Sequence, residues 1–251
     1  MDRQIIRSET FSLYTLCEYA VTLEFDSVIN SSALDRITRF DARIHQHPFD
    51  GFKSSVPAYT TLTVFFDPLE VMRSATLDGL DGYQRVSAYL KKLAALPMDT
   101  TEVPSERVVT IPVCYGGEFG PDLEEVADMN GLTPTEVIRL HSGATYRVHL
   151  VGFTPGFPYL SGLPNQLVTP RRKTPRRHVP RGSVGIAGSQ TGIYPQDTPG
   201  GWQIIGRTWL PLFDENRPAP ALLKAGDRII FQPIPHEQFM ENHSSHADTD
   251  Y

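Results

Sequence analysis

The chain has 251 residues, enough to bury a sizeable core in one large domain or two small ones. Its 40% hydrophobic and 21% charged residues are ordinary for a soluble globular protein, and a net charge of −6 argues against nucleic acid or an anionic membrane as partner. No apolar run approaches the ~18 residues of a membrane span. The opening Met1-Asp2-Arg3-Gln4-Ile5-Ile6-Arg7 lacks the apolar stretch of a signal peptide, so a cytoplasmic protein with free thiols at Cys17 and Cys114 is expected.

Residues 1–97 read as a small α+β domain. Phe11, Leu13 and Thr15, then Val21, Leu23 and Phe25, alternate with polar neighbours as half-buried strands do. Ser32 is a candidate cap for a helix carrying Leu34, Ile37, Phe40 and Ile44, stopped before Pro48. A strand with Leu62, Val64 and Phe66 on one face ends at Asp67-Pro68, and Val86, Tyr89, Leu90, Leu93 and Leu96 mark a second amphipathic helix. Strand-strand-helix-strand-helix is a ferredoxin-like order, with helices over one face of a sheet. Residues 98–105 have no periodicity and read as a linker.

Residues 106–235 read as a mainly β domain. A strand from Arg107 to Val113 precedes two short helices. The second of them starts at Thr133-Pro134-Thr135-Glu136, a capping box with proline in the first turn, and should end at Gly143. His141 then falls in the last turn, where the helix dipole favours a protonated imidazole, although a buried, hydrogen-bonded histidine is the alternative. Strands at 144–153, 183–187, 202–207 and 228–232, joined by loops, predict a β-barrel or sandwich. The polar tail 236–251 is expected to be disordered.

Between Gly152 and Trp202 lie nine glycines and eight prolines, alternating with Phe153, Phe157, Tyr159, Leu160, Tyr194 and Trp202. Rings that large need burial, so these loops should hold fixed shapes over a core, where a ligand can be held. The same segment carries six cations within Arg171–Arg181 and a single acid, Asp197. In an acidic protein that island suits a carboxylate, a phosphate or the acidic face of a partner, or else it is a solvated loop with salt bridges. Gly-x-x-x-x-Gly-Lys-Ser/Thr is absent, and Arg181 breaks the Gly-x-Ser-x-Gly pattern around Ser183. His45 and His47 lack an evident third ligand, so no metal site is expected.

Three ordered segments resemble the signatures of one family. These are Cys114 to Leu123; His141, Tyr146-Arg147-Val148 and Gly152 to Leu163; and Pro180 to Pro195 with Pro199-Gly200-Gly201-Trp202 and Gly206-Arg207-Thr208. Val56-Pro57-Ala58-Tyr59 and Phe66-Asp67-Pro68 match more loosely. The family is that of the 5-oxoprolinase B subunit together with the Kip-type kinase inhibitors, also called allophanate hydrolase subunit 1. It includes part of the carboxyltransferase region of urea carboxylases. The resemblance implies a cyclophilin-like barrel in the second domain and a hetero-oligomer with the C and A subunits of 5-oxoprolinase. Together these open 5-oxo-L-proline to L-glutamate at the expense of ATP, whose site is not visible in this chain; nor is a biotin or metal site. It further implies His141 as proton carrier or substrate donor, oriented by Asp122. Arg171, Arg176 and Arg177 would hold carboxylate or phosphate, and the turn Pro199, Gly200, Gly201, Trp202 would shape the wall. Alternatives are a non-enzymatic inhibitor of a sensor histidine kinase and a generic ligand-binding barrel.

Overall fold

The computed structural model describes residues 5–7, 11–97 and 107–247, with side chains for 11–97 and 107–242. The chain divides into two compact units, Met1–Glu106 and Arg107–Tyr251. The linker expected at 98–105 lies outside the described residues.

The first unit contains β1 (Ile5–Arg7), β2 (Ser12–Cys17), β3 (Ala20–Glu24), α1 (Ser31–Gln46), β4 (Phe52–Ala58), β5 (Thr61–Phe66), α2 (Pro68–Arg73) and α3 (Gly82–Ala95). Its five strands form an antiparallel sheet in the order β1-β2-β3-β5-β4. Ile37, Phe40 and Ile44 of α1 and Val86, Leu90 and Leu93 of α3 share one core with Leu13, Val21, Leu23, Leu62 and Val64 of the sheet. Each such side chain contributes about 1.5–3 kcal/mol by leaving water. The expected element order is short by two strands, β1 and β4, and one short helix, α2. Pro57 disguises β4 in the sequence and is tolerated because β4 is a sheet edge. Asp67-Pro68 ends one element and starts another, since the Asp67 carboxylate accepts from the Leu69 and Glu70 N–H groups to cap α2. The cap of α1 is Asn30, accepting from Ala33 N–H at 2.7 Å, and not Ser32.

The second unit contains β6 (Val108–Tyr115), α4 (Leu123–Asn130), α5 (Pro134–Ser142), β7 (Thr145–Val151), β8 (Pro158–Ser161), a 3-10 turn at Asn165–Leu167, β9 (Arg176–Val179), β10 (Ser183–Ala187), β11 (Gln190–Ile193), β12 (Thr198–Gly200), β13 (Gln203–Arg207), β14 (Arg228–Pro233) and α6 (His236–Ala247). Seven strands close a barrel in the order β10-β11-β8-β7-β14-β6-β13. β14 and β6 are parallel, and the other pairs are antiparallel. The expected barrel is therefore present. Ile111, Val113, Tyr146, Val148, Leu160, Val184, Ile186, Ile193, Ile205, Ile229 and Phe231 belong to its core. The capping box at Thr133 forms as read, with the Glu136 carboxylate returning to Thr133 N–H at 2.8 Å.

The expectation of a disordered tail is corrected over 236–247, which is helical; residues 248–251 lie outside the described residues. Phe239 is buried against Phe119 at 4.2 Å between ring centroids and anchors that helix. A single aromatic in a polar tail gives no periodic signal, so the helix is not evident from residue order. Cys17 and Cys114 are free thiols. No helix among the described residues is long and apolar enough to cross a membrane.

Candidate functional site: an arginine-bearing ribbon

The arginine segment and the Pro-Gly-Gly-Trp turn, distant in sequence, meet in a two-stranded ribbon. β9 pairs antiparallel with β12, placing Gly200 opposite Arg176, and Arg172 N–H donates to the Gly201 carbonyl at 2.8 Å. Gly200 is required there because a Cβ would overlap the Tyr194 hydroxyl. Val179 of the ribbon packs with Phe157, Tyr194, Trp202 and Ile204 in a separate apolar cluster. Phe157 meets Trp202 edge-on at 5.6 Å and Tyr194 at 5.7 Å. Trp202 is thereby buried and supports the ribbon from its core side; it does not line a ligand wall as expected.

The arginines divide into two kinds. Arg176 forms a two-pronged pair with Asp122, at 2.6 and 2.8 Å, and Arg172 adds a third contact at 2.7 Å. Asp122 Oδ2 also accepts from Ile204 N–H at 2.6 Å. Asp122 is only 2% exposed and stands at the start of α4, where the helix dipole favours an anion. One buried carboxylate thus ties α4, β13 and the ribbon together. Two expectations are corrected by this geometry. Asp122 does not orient His141, because both its oxygens are taken by Arg172, Arg176 and Ile204. Arg176 is not available to a ligand carboxylate, because it already holds a protein one. Arg171, Lys173 and Arg177 are exposed and their side chains make no hydrogen bond or ion pair among the described residues, so Arg171 and Arg177 are free cations of this segment.

His141 is fully buried on α5, stacked on Phe231 at 4.6 Å. Its Nε2 lies 3.0 Å from Thr191 Oγ1, and that hydroxyl donates to the Gly185 carbonyl at 2.9 Å. Thr191 therefore accepts from Nε2–H, and Nδ1 accepts from the Tyr115 hydroxyl at 2.8 Å. This neutral tautomer satisfies every polar atom of the ring. Burial pushes the His141 pKa down to about 3, and burial likewise lifts the Tyr115 phenol well above its usual value. The expectation of a protonated imidazole fails: loss of solvation outweighs the helix dipole, worth only about 0.3–2 kcal/mol. His141 here joins α5 to β6, β11 and β14.

Phe153 is one of the rings expected to need burial, yet it is 71% exposed, and it alone among described non-glycine residues has a left-handed backbone, at φ 72°. Gly152 N–H donates to the Phe157 carbonyl and Phe157 N–H to the Thr154 carbonyl, closing the loop that holds it there. Its ring rests edge-on against Phe157 at 5.8 Å. Such strain costs roughly 1–3 kcal/mol and clusters at working sites. Sequence offers no signal for it, because the strain arises from loop closure. Among the described residues no group of three His, Cys, Asp or Glu side chains is placed to hold a metal ion.

Residues 11–223 match the profile of the family described as carboxyltransferase domain, subdomain C and D. Over 229 residues the chain is 43% identical to the 5-oxoprolinase B subunit of Bacillus subtilis, covering 91% of this chain and 95% of that protein. It is also 43% identical over 220 residues to the 5-oxoprolinase B subunit of Escherichia coli O157:H7, covering 88% and 94%. The crystal structure of the K. lactis urea amidolyase superposes with a TM-score of 0.68 at 17% identity, over 96% of this chain and 16% of that one, a likeness of fold. The ordered signatures, the closed barrel and near full-length identity agree: the chain belongs to the 5-oxoprolinase B-subunit family of carboxyltransferase subdomain C and D proteins.

Proposed function

We propose that this chain is the B subunit of an ATP-dependent 5-oxoprolinase, a cytoplasmic hetero-oligomer whose A, B and C subunits together open 5-oxo-L-proline to L-glutamate. The observation that carries this is 43% identity to proteins of that name over nearly the whole of both chains. The kinase-inhibitor alternative is the weaker reading, since the near full-length relatives bear the enzyme's name. The chain's residues suit one wall of a shared site. Arg171 and Arg177 would hold the substrate carboxylate beside the flat Pro199-Gly200-Gly201 backbone, while Asp122, Arg172, Arg176, His141 and Trp202 keep that wall rigid.

The nucleotide fits the partner subunits better than this chain. A phosphate is commonly held at an open helix N-terminus. Here Asn30, Asp67, Asp81 and Thr133 cap helices with their own side chains, and α4 starts at the Asp122 carboxylate. We also read the barrel as cyclophilin-like. The first unit we read as ferredoxin-like with its closing strand moved to the front, since β2-β3-β5-β4 with α1 and α3 has that order. The test is reconstitution: the A and C subunits plus this chain should release glutamate from 5-oxoproline with ATP consumed, and omission of any one should abolish it. Equal turnover without this chain would overturn the reading.

A further inference from the structure

A cleft of about 400 Å³ opens beside β10 and β13, and Arg181, Arg207 and Arg217 are among its lining residues. The main chain holds Arg181 and Arg207 next to each other. Ser183 lies opposite Arg207 in the β10–β13 register, and Thr208 N–H donates to the Gly182 carbonyl at 2.9 Å. Gly182, at φ 79°, permits that approach, since a Cβ would overlap the Thr208 carbonyl oxygen. Arg207 Nε donates to the Arg181 carbonyl at 2.8 Å, and its two terminal nitrogens have no hydrogen-bond or ion-pair partner among the described residues.

Of the carboxylates nearby, Asp197 and Asp214 have partners at the site, and Glu215 also lines the cleft. Asp197 accepts from Arg181 N–H at 2.7 Å and faces His178 Nε2 at 3.1 Å, and Asp214 pairs with Arg217 at 3.1 Å. Burial, and then the Arg181 charge, outweigh the pull of Asp197 and Glu118 and lower the Arg207 pKa. A half-buried guanidinium beside a second one, with two unused donor groups in a cleft, is an arrangement that an anion stabilises. Trp209 and the partly exposed Phe213 add apolar surface to the same cleft.

We propose that this cleft binds a small oxyanion, a carboxylate or phosphate group, on the terminal nitrogens of Arg207 with Arg181 beside it. The site is distinct from the Arg171–Arg177 ribbon and does not rest on the 5-oxoprolinase reading, because the isolated chain should bind without partner subunits. The experiment titrates the purified chain with inorganic phosphate and, separately, with acetate at constant ionic strength, following tryptophan fluorescence. Chloride serves as control, and Trp209→Phe identifies the reporter. A saturable signal is expected for at least one anion, and the tighter of the two identifies the chemical source. Arg207→Gln should weaken it at least about tenfold and Arg181→Ala by a smaller but measurable factor, while Arg177→Ala leaves it unchanged. Arg181→Ala keeps the main-chain carbonyl that Arg207 uses, so it decides the matter if Arg207→Gln does not fold. No saturable signal with either anion, unaltered binding in Arg181→Ala, or loss in Arg177→Ala instead would each overturn the proposal.

Discussion

Replacing Asp122 by alanine removes an acceptor of four hydrogen bonds in one step. It leaves the Arg176 guanidinium without its carboxylate, Arg172 with only the longer Glu125 contact at 3.4 Å, and the buried Ile204 N–H without an acceptor. Removing one partner of a buried ion pair costs about 3–5 kcal/mol. The two arginine side chains are 30% and 26% exposed, so water recovers part of that, and the lower end, about 3 kcal/mol, applies. For a unit of this size each kcal/mol moves the melting temperature by about 2–4 °C, so Asp122→Ala should melt about 6–12 °C lower. Asp122→Asn keeps an acceptor for Ile204 N–H but loses the charge, and should fall between. The assay is thermal unfolding of the isolated chain by circular dichroism, beside activity of the reconstituted complex. A melt within about 2 °C of wild type would refute the structural role. Unchanged stability with lost activity would return Asp122 to the chemistry.

Three further outcomes are expected. His141 is neutral when folded and titrates near 6.5 when unfolded, so the unfolded chain binds the extra proton below that value. Its contribution is complete above about pH 6.5 and lost as pH falls toward 3, at up to about 1.4 kcal/mol per unit. His141→Gln should flatten the fall in melting temperature between pH 7 and 5, and an unchanged slope would contradict a buried neutral ring. Arg171→Ala and Arg177→Ala should leave the melt within about 1 °C of wild type, since exposed unpaired charges contribute little. In the assembled enzyme each should raise the apparent KM for 5-oxoproline roughly tenfold to a hundredfold, and unaltered kinetics in both would move the substrate elsewhere. Phe153→Gly removes the left-handed strain but adds unfolded-state freedom, so stability should shift by no more than about 1 kcal/mol. Assembly or turnover of the complex should nevertheless fall at least about fivefold, and full activity would make the exposed ring incidental.

Local physics was legible from residue order, because its determinants lie within a few positions of one another. The Thr133 capping box, the apolar stripes of α1 and α3 and the alternation in β2, β3 and β5 were all readable in this way. The ordered signatures, from Cys114 to Thr208, also sufficed to identify the family. Short strands rich in glycine or interrupted by proline, such as β4, β8 and β11, were not readable. A strand of that kind is defined by its neighbour, and its neighbour is chosen by the closing of the sheet.

The side-chain contacts of Asp122 and His141 join positions far apart in the chain, which residue order does not encode. Asp122 finds Arg172, Arg176 and Ile204 at separations of 50, 54 and 82 residues. His141 finds Thr191 at 50. Sequence supplied the residue types, a carboxylate, an imidazole and a cluster of guanidiniums. Only the closed barrel decided which charges neutralise each other and which remain open, because desolvation and pairing depend on what surrounds a group in space. That is why a histidine read as protonated is a neutral core residue, and why only Arg171 and Arg177 of the three arginines read as ligand-binding are left to meet one.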